Sequence, residues 1–444
     1  MLDNLIIRNF DDATFVFNTQ NRKSLFVEGT IADIVPMFLK HPDEQITERY
    51  IHKIPLSNQV KAKEDIELVR KTVQDFLFES DNGKQTSLET GLPTGYTGYV
   101  ETSMQRLLTY AIKKWQIINA SIELNYHCNL RCQCCYIGTR NKKGLQRHEL
   151  QKIAEQLRKA GAIFILFTGG EMFLRRDVFE IMNDFKQLGF VLEAKSNGIL
   201  LTRSAIRKLA KLNLFNLQIS IYDIGSRASV FVGRYYSFGR LLKNIRLAIE
   251  QGIPLSLSVL VGKHNIDDLE KYHDIFQELG VQEIFYNPYI TPQRNGAGRE
   301  NLIRLSRKEM DKKFYPFLEK IDGFTASKKY RNRCKDSPAC YAGREQISID
   351  TEGTVFPCLD LRLPMGNLLQ NDLNYILEKR KALLKPYTLE KISKCWRCNI
   401  AEYCDSCIGT SLLEHDNFTE PSQHKCDITH FYHEANLKRK EVRK

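Results

Sequence analysis

Four cysteines lie within eight residues of one another, at positions 128–135, directly after an apolar run at 120–126. Three of them have the spacing CxxxCxxC: Cys128, Cys132 and Cys135. Thiolates this close together on one loop can bind a single polynuclear iron–sulfur cluster, and three ligands rather than four leave one iron open to a small ligand. The stretch therefore predicts a reactive iron site. A purely structural metal site is the alternative at this point.

Strand and helix patterns alternate from this loop to about residue 320. Six apolar strand candidates lie at 120–126, 163–168, 191–196, 215–221, 255–261 and 283–289. Amphipathic helix candidates lie between them at 149–160, 177–188, 241–251 and 267–279. Such alternation favours parallel strands with right-handed crossovers, and so an α/β barrel or an open sheet. In barrels of this kind, catalytic residues gather at the carboxyl ends of the strands.

Small and polar residues stand at the predicted ends of the next three strands. Strand two ends in Thr168-Gly169-Gly170-Glu171, strand three ends in Ser196-Asn197, and strand four carries Ser220. Asn265 follows strand five and is a weaker candidate. Glycines allow the close approach of a backbone, and a carboxylate can bind an ammonium group. Simple turn formation is the alternative for each of these residues.

The CxxxCxxC loop followed one β/α unit later by Gly-Gly-Glu resembles the radical S-adenosylmethionine (radical SAM) superfamily. The resemblance implies a partial (β/α)6 TIM-like barrel and a 4Fe-4S cluster on Cys128, Cys132 and Cys135. That cluster would bind the amino and carboxylate groups of S-adenosylmethionine, reduce it and release a 5′-deoxyadenosyl radical. The cofactor contacts that the resemblance implies are Gly169, Gly170 and Glu171 for the ammonium group, and Ser196, Asn197 and Ser220 for ribose and carboxylate.

Two positions depart from the pattern of this superfamily. The residue before the third cysteine is usually aromatic and contacts the adenine, but here it is Cys134. After strand four, relatives often have Arg-Gly where this chain has Val232-Gly233-Arg234. The adenine contact and the carboxylate partner therefore stay unassigned. No Asp, Glu or His stands at a position that marks it as a general base.

A second group of eight cysteines lies between residues 334 and 426: Cys334, Cys340, Cys358, Cys395, Cys398, Cys404, Cys407 and Cys426. Apart from one residue in the last spacing, their pattern resembles the SPASM extension, which binds two auxiliary 4Fe-4S clusters. The resemblance implies a first cluster on Cys334, Cys340, Cys358 and Cys407, and a second on Cys395, Cys398, Cys404 and Cys426. Full protein ligation suits electron transfer. A zinc ribbon is the alternative, because CxxC pairs also bind zinc.

Residues 1–80 read as three short strands followed by three helices, the last with apolar residues at helical spacing from Ile66 to Leu77, including Phe76. This winged-helix-like order resembles the peptide recognition element of enzymes that mature ribosomal peptides. There a leader peptide is added as a strand along the sheet edge. The alternative is a winged helix that serves packing or nucleic-acid binding.

The length of 444 residues predicts two or three domains. The patterns and resemblances above divide the chain into a recognition module at 1–80, a linker and helix at 81–118, a barrel at 119–320 and a SPASM domain at 321–444. The net charge is +12, but no basic block of the sequence contains interleaved aromatic residues. We therefore expect no nucleic-acid partner. Twelve cysteines and a polar start favour a reducing, cytoplasmic location. No apolar stretch reaches the roughly 20 residues of a membrane helix.

This domain order resembles the radical SAM peptide maturases, including sactipeptide and ranthipeptide synthases such as the subtilosin maturase. The resemblance implies an oxidoreductase that installs an oxidative crosslink, a thioether in the first instance, in a precursor peptide with a leader. An electron donor such as flavodoxin or ferredoxin is implied as a second partner. The alternatives are a carbon–carbon crosslink, an enzyme similar to anaerobic sulfatase maturases, and a non-catalytic, metal-bearing peptide-binding protein.

Overall fold

The computed structural model describes residues 4–40, 102–138, 141–224, 227–296, 298–321, 337–404 and 407–442, and nine positions between 64 and 77. Four features of the sequence analysis lie outside these residues: the second of the three helices predicted in 1–80, which the sequence places near Asp43, then Phe76, the linker part at 81–101 and Cys334.

An antiparallel sheet opens the chain, with β1 (Leu5–Asn9), β2 (Ala13–Asn18) and β3 (Ser24–Glu28) in that spatial order. Helix α1 (Thr30–Lys40) follows, and the described positions from 64 to 77 are helical. On one face of the sheet, Val16 packs against Val35 and Leu39 of α1 and against Val73 and Leu77. The predicted order of strands and helices is therefore confirmed for the described part of this module.

The other face of this sheet packs against the beginning of the barrel strands. Phe15, Phe17 and Phe26 form one buried cluster with Phe164 and Val191, which open β5 and β6. Helix α2 (Ser103–Lys114) joins this cluster, and its first turn is capped by the Thr102 hydroxyl. The buried Arg8 guanidinium donates to the carbonyl oxygens of Ala162 and Gly189 in the barrel. The module is thus fixed below the amino ends of the barrel strands.

Six parallel strands form the barrel sheet, in sequence order. They are β4 (Asn119–Glu123), β5 (Phe164–Thr168), β6 (Val191–Ser196), β7 (Asn216–Ile221), β8 (Leu255–Leu260) and β9 (Glu283–Asn287). The helices between them are α3 (Arg147–Lys159), α4 (Val178–Gln187), α5 (Arg203–Leu212), α6 (Arg227–Phe231), α7 (Phe238–Glu250) and α8 (Leu269–Glu278). Their apolar stripes cover the sheet, as Leu150, Ile153 and Leu157 of α3 do. The predicted partial (β/α)6 barrel is confirmed.

The sheet continues beyond β4 into the C-terminal region. Strand β10 (Gln346–Ile349) pairs in parallel with β4, and the short strands β11 (Thr354–Phe356) and β12 (Gly366–Asn367) add to it antiparallel. One nine-stranded sheet therefore runs from β12 to β9. Because the C-terminal region shares the sheet of the barrel, the sheet marks no boundary between the two regions. The domain boundary near residue 321 therefore stays a prediction.

Helices complete the C-terminal region. A helical stretch contains α9 (Arg307–Glu309), a π-helical turn (Met310–Phe314) and α10 (Tyr315–Lys320). The later helices are α11 (Leu373–Leu384), α12 (Ser393–Trp396), α13 (Ile408–His415) and α14 (Gln423–Val442). Short 3-10 turns lie at Met172–Leu174, Ile266–Asp268, Arg299–Leu302, Leu389–Lys391 and Ala401–Tyr403. Among the described residues, no helix has the length and apolar character needed to span a membrane.

Candidate active site and auxiliary cysteine sites

The cysteine loop follows β4, and backbone hydrogen bonds join it to the segment after β7. The Arg131 amide donates to the Val232 carbonyl at 2.7 Å, and the Gln133 amide donates to the Phe231 carbonyl at 3.1 Å. Gly233 has a φ of 60°, and a Cβ there would lie 2.8 Å from the Arg131 carbonyl oxygen. The Val232-Gly233 sequence that departs from the radical SAM pattern therefore braces the cysteine loop.

Gly169 and Gly170 bring the end of β5 into contact with the same loop. The Gly170 amide donates to the Asn125 carbonyl at 2.7 Å, and the Glu171 amide donates to the His127 carbonyl at 2.8 Å. A Cβ on Gly170 would lie 2.2 Å from the His127 carbonyl oxygen, and Gly169 has a φ of 126°. Only glycine fits this approach of two backbones, so the pair positions the residue that precedes Cys128.

The Glu171 carboxylate joins the ends of β5 and β6. It is fully buried and accepts from the Ser196 hydroxyl at 3.0 Å, the Asn197 amide at 2.9 Å and the Phe173 amide at 3.1 Å. Burial raises its pKa to about 7, although these three donors act in the opposite direction. Its described hydrogen bonds are thus internal to the protein. A contact between Glu171 and an ammonium group stays a prediction.

Asn197 connects this carboxylate with the cysteine loop. Its side-chain amide donates to the side-chain oxygen Oδ1 of Asn129 at 2.8 Å and lies 3.9 Å from the Cys128 sulfur. Asn265, in contrast, donates to the carbonyl groups of Tyr222 and Leu260, so it braces a turn after β8.

A cavity of about 230 Å³ opens in front of the cysteine loop. The cavity is bordered by all four cysteines of the loop, by Gly169 and Gly170, and by the hydroxyl-bearing residues Ser220, Tyr222, Ser258 and Tyr289. Burial raises the pKa of Cys128 to about 12, so a bound cation is needed to keep this thiol ionised at neutral pH. Three cysteines with cluster spacing, on one loop beside a cavity that hydroxyl groups also border, fit a cluster with one open iron and a polar ligand on that iron.

A second cavity, of about 240 Å³, lies between the C-terminal cysteines. Cys395, Cys398, Cys404 and Cys426 all border it, the last from α14. Burial raises the pKa of Cys426 to about 11, and the neighbouring Cys404 and Cys398 add to this shift. The described residues contain no three His, Cys, Asp or Glu side chains that converge closely enough to hold one metal ion. The four thiols instead surround a space that fits a cluster.

The described cysteines predicted for the first auxiliary cluster also lie near one another. Burial raises the pKa of Cys358, with further contributions from Asp360, Cys340 and Cys407. Backbone amides point at all three sulfur atoms: Ala342 to Cys340 at 3.3 Å, Leu361 to Cys358 at 3.2 Å and Thr410 to Cys407 at 3.4 Å. Such donors stabilise thiolate ligands and tune the potential of a cluster. The predicted fourth ligand, Cys334, lies outside the described residues.

Two family models match the chain. Residues 122–276 match the radical SAM superfamily, and residues 340–407 match the iron-sulfur cluster-binding domain known as SPASM. The chain carries a radical SAM domain followed by a SPASM domain. The cysteine loop lies in the first match, and Cys340, Cys358, Cys395, Cys398, Cys404 and Cys407 lie in the second.

Two curated relatives match part of the chain. A probable GTP 3′,8-cyclase of Saccharolobus solfataricus is 30% identical over 167 residues, which are 37% of this chain and 54% of that protein. The match thus spans about half the length of that relative. The AdoMet-dependent heme synthase of Methanosarcina barkeri is 24% identical over 313 residues, which are 65% of this chain and 89% of that protein.

Solved structures share the fold at low identity. Streptococcus suis SuiB bound to the precursor peptide SuiA has a TM-score of 0.62 and 16% identity, over 95% of this chain and 98% of that chain. The protein anSMEcpe, with bound AdoMet and the Cp18Cys peptide, has a TM-score of 0.57 and 16% identity, over 73% of this chain and 98% of that chain. At these identities the likeness shows the fold.

A buried ion network links the radical SAM domain to the SPASM domain. Glu123, at the end of β4, lies 2.9 Å from Arg294 and 3.3 Å from Arg362, and it accepts from the Tyr126 hydroxyl at 2.9 Å. Arg294 also donates to the Leu359 carbonyl, next to Cys358, at 3.0 Å. Sequence reasoning missed this network. The signal was a carboxylate at the end of an otherwise apolar strand.

Tyr289 was also missed, although it lies between two predicted cluster sites. Its ring borders the cavity of the radical SAM cysteines, and its hydroxyl is hydrogen-bonded to the Thr410 hydroxyl. The Thr410 amide in turn donates to the Cys407 sulfur at 3.4 Å. A tyrosine that follows the last barrel strand was the available signal.

Proposed function

We propose that the protein is a radical SAM peptide maturase that installs an oxidative crosslink, a thioether from a cysteine sulfur to a carbon, in a ribosomally made precursor peptide. It would carry three 4Fe-4S clusters and use S-adenosylmethionine. When bound, these groups supply the one-electron chemistry, and the protein orients the peptide and removes the surplus electron.

The outer edge of β3, which pairs with no described strand, is the observation that carries this proposal. Hydrogen bonds join Asn18 to Lys23 and Gly29 to Asp12 across the β2–β3 pair. Because bonded pairs alternate along an antiparallel ladder, the backbone groups of Ser24, Phe26 and Glu28 point away from β2. No described strand pairs with that edge. An extended leader peptide could add there as a fourth strand.

The extent of the structural matches supports the same proposal. SuiB, crystallised with its precursor peptide, matches 95% of the chain, whereas anSMEcpe matches 73%. The match to SuiB is long enough to include the N-terminal sheet, whereas the match to anSMEcpe leaves out about a quarter of the chain. A leader-dependent maturase therefore agrees better with the whole chain than an enzyme similar to sulfatase maturases.

The site contains residues for the roles that this reaction needs. Cys128, Cys132 and Cys135 would hold the first cluster, and the Gly169-Gly170 backbone would border the S-adenosylmethionine ligand. Crosslink formation removes two electrons and two protons from the peptide, so one electron must leave after hydrogen abstraction. The contact from Tyr289 through Thr410 to Cys407 connects the cavity with the predicted first auxiliary cluster.

A single backbone donor on the β3 edge provides the test. Ser24→Pro removes the outward-pointing amide while it leaves the ladder to β2 intact, and Ser24→Ala keeps that amide as the matched control. The ligand is the leader of a cysteine-containing peptide encoded next to this gene. We expect Ser24→Pro to weaken leader binding by about tenfold relative to Ser24→Ala, as the loss of one hydrogen bond implies.

Both variants should still cleave S-adenosylmethionine with dithionite, because the edge lies below the barrel. Mass spectrometry of the peptide should show the loss of two hydrogen atoms and a cysteine that no longer reacts with iodoacetamide. Equal leader binding by the two variants would exclude the β3 edge. A wild-type protein that leaves every such peptide unchanged would refute the maturase assignment.

A further inference from the structure

Two large apolar side chains stand in solvent beside the radical SAM cysteine loop. Val230 is 73% exposed and Tyr235 is 82% exposed. Among the other described large apolar side chains, only Leu302 is as exposed as Val230. They flank Phe231 and Val232, whose carbonyls accept the amides of Gln133 and Arg131. This exposed surface therefore lies one hydrogen bond from the backbone on either side of Cys132.

The two sequence segments that contain these residues are basic and have no Asp or Glu. Residues 124–148 hold five Lys or Arg and no Asp or Glu, and residues 224–249 hold five Lys or Arg and no Asp or Glu. Arg131 and Arg234 are exposed beside the two apolar side chains. Apolar anchors within a surface of one charge are typical of a docking site for a partner of opposite charge.

We propose that this surface, formed by Arg131, Gln133, Val230, Arg234 and Tyr235 and here termed the donor face, docks an acidic protein that carries single electrons. The inference rests on the proposed function, since each cleavage of S-adenosylmethionine consumes one electron. The carrier is oxidised by one electron and the cluster is reduced by one, with no bond or proton exchanged at the interface.

The position of the donor face favours an electron carrier over other occupants. The Val232 carbonyl accepts a hydrogen bond from the amide of Arg131, which precedes Cys132 in the chain. One hydrogen bond and one residue therefore separate this surface from Cys132. A second copy of the chain would place arginines against arginines, which opposes self-association. The leader edge of β3 belongs to the sheet packed at the opposite, amino end of the barrel strands.

The test compares two reductants on a variant of two exposed residues. Val230→Glu with Tyr235→Glu adds two carboxylates to the donor face. Leu369→Glu with Tyr375→Glu makes matched changes at exposed residues near β12, the edge strand of the sheet, where the side chains are 49% and 47% exposed. The measured quantity is the rate of 5′-deoxyadenosine formation, with reduced flavodoxin as one reductant and dithionite as the other.

We expect the donor-face variant to lose at least about tenfold in rate with flavodoxin below saturation and to keep its rate with dithionite, which needs no docking. The control variant should keep both rates. Direct binding of oxidised flavodoxin, measured by calorimetry without turnover, should weaken for the donor-face variant alone and should weaken further as salt increases.

Three results would overturn the inference. Equal losses with both reductants would place Val230 and Tyr235 in support of the cluster, and unchanged rates with both would show that the carrier docks elsewhere. A change in oligomeric state in the variant would make the surface an interface between copies. A wild-type protein that fails to cleave S-adenosylmethionine even with dithionite would instead refute the proposed function.

Discussion

The buried carboxylate of Glu171 accepts a hydrogen bond from the Asn197 backbone amide at 2.9 Å. The same carboxylate accepts from the Ser196 hydroxyl at 3.0 Å. The side chain that ends the Gly-Gly-Glu motif thus fixes the end of the neighbouring strand, and Asn197 passes that restraint to Asn129 in the cysteine loop.

Replacement of Glu171 by Ala should leave the Asn197 amide and the O–H donor of Ser196 without an acceptor in a buried site. We expect this change to cost about 1–3 kcal/mol and to weaken S-adenosylmethionine binding through displacement of the strand end. Ser196→Ala should add little in the Glu171→Ala background, because both changes remove the same contact. Equilibrium dialysis and thermal midpoints of the three variants check this. Fully additive losses would instead indicate separate roles for the two residues.

Gly170→Ala should prevent correct assembly of the cysteine loop. The added Cβ would lie 2.2 Å from the His127 carbonyl oxygen, a backbone atom that cannot move without displacing Cys128. We expect iron content to fall by about one cluster, or four irons, after anaerobic reconstitution. Gly239→Ala is the control, since a Cβ there meets nothing within 4 Å. Normal iron content in Gly170→Ala would contradict the close contact between the two loops.

Single cysteine replacements should separate ligands from the spare thiol. Cys426→Ala should lose about four irons, because Cys426 borders the cavity with Cys395, Cys398 and Cys404. Cys134→Ala should keep its iron, although Cys134 borders the radical SAM cavity. Iron analysis and the cluster absorbance check both variants. Loss of the radical-generating cluster in Cys134→Ala would show that the three ligands were chosen wrongly.

Glu345 should lower stability as the pH rises from about 4.5 to about 7. The side chain is 7% exposed, and burial raises its pKa to about 7. Between an unfolded pKa of about 4.5 and this value, the unfolded chain releases a proton that the folded protein retains, so stability falls with rising pH. Glu345→Gln should therefore be more stable than wild type at pH 8, by up to about 3 kcal/mol, and similar at pH 5. A pH-independent difference in thermal midpoint would refute this.

Much of the fold follows from local patterns. Strand and helix periodicity in 119–289 predicts all six barrel strands, because each β/α unit is formed by neighbouring segments. The cysteine spacings predict the loop at Cys128 and the set of four around the C-terminal cavity, because these ligands lie mostly on short loops.

Other features depend on residues far apart in the chain, which no local pattern specifies. The parallel pairing of β10 with β4 is one such feature, and the contacts of Glu123 with Arg294 and Arg362 are another. The partners of Glu171 could not be predicted either, since a strand-end carboxylate can face a ligand or a neighbouring strand. The bracing role of Gly233 depends on its distance from Arg131, which emerges only in the folded chain.

The central claim is that three cysteine sites of this chain hold iron–sulfur clusters and that the first one cleaves S-adenosylmethionine. The most direct measurement is metal and sulfide analysis of the anaerobically reconstituted protein, combined with release of 5′-deoxyadenosine after reduction by dithionite. We predict about twelve irons with matching sulfide per chain and release of 5′-deoxyadenosine that Cys128→Ala abolishes. Zinc without sulfide, and no 5′-deoxyadenosine, would contradict the account.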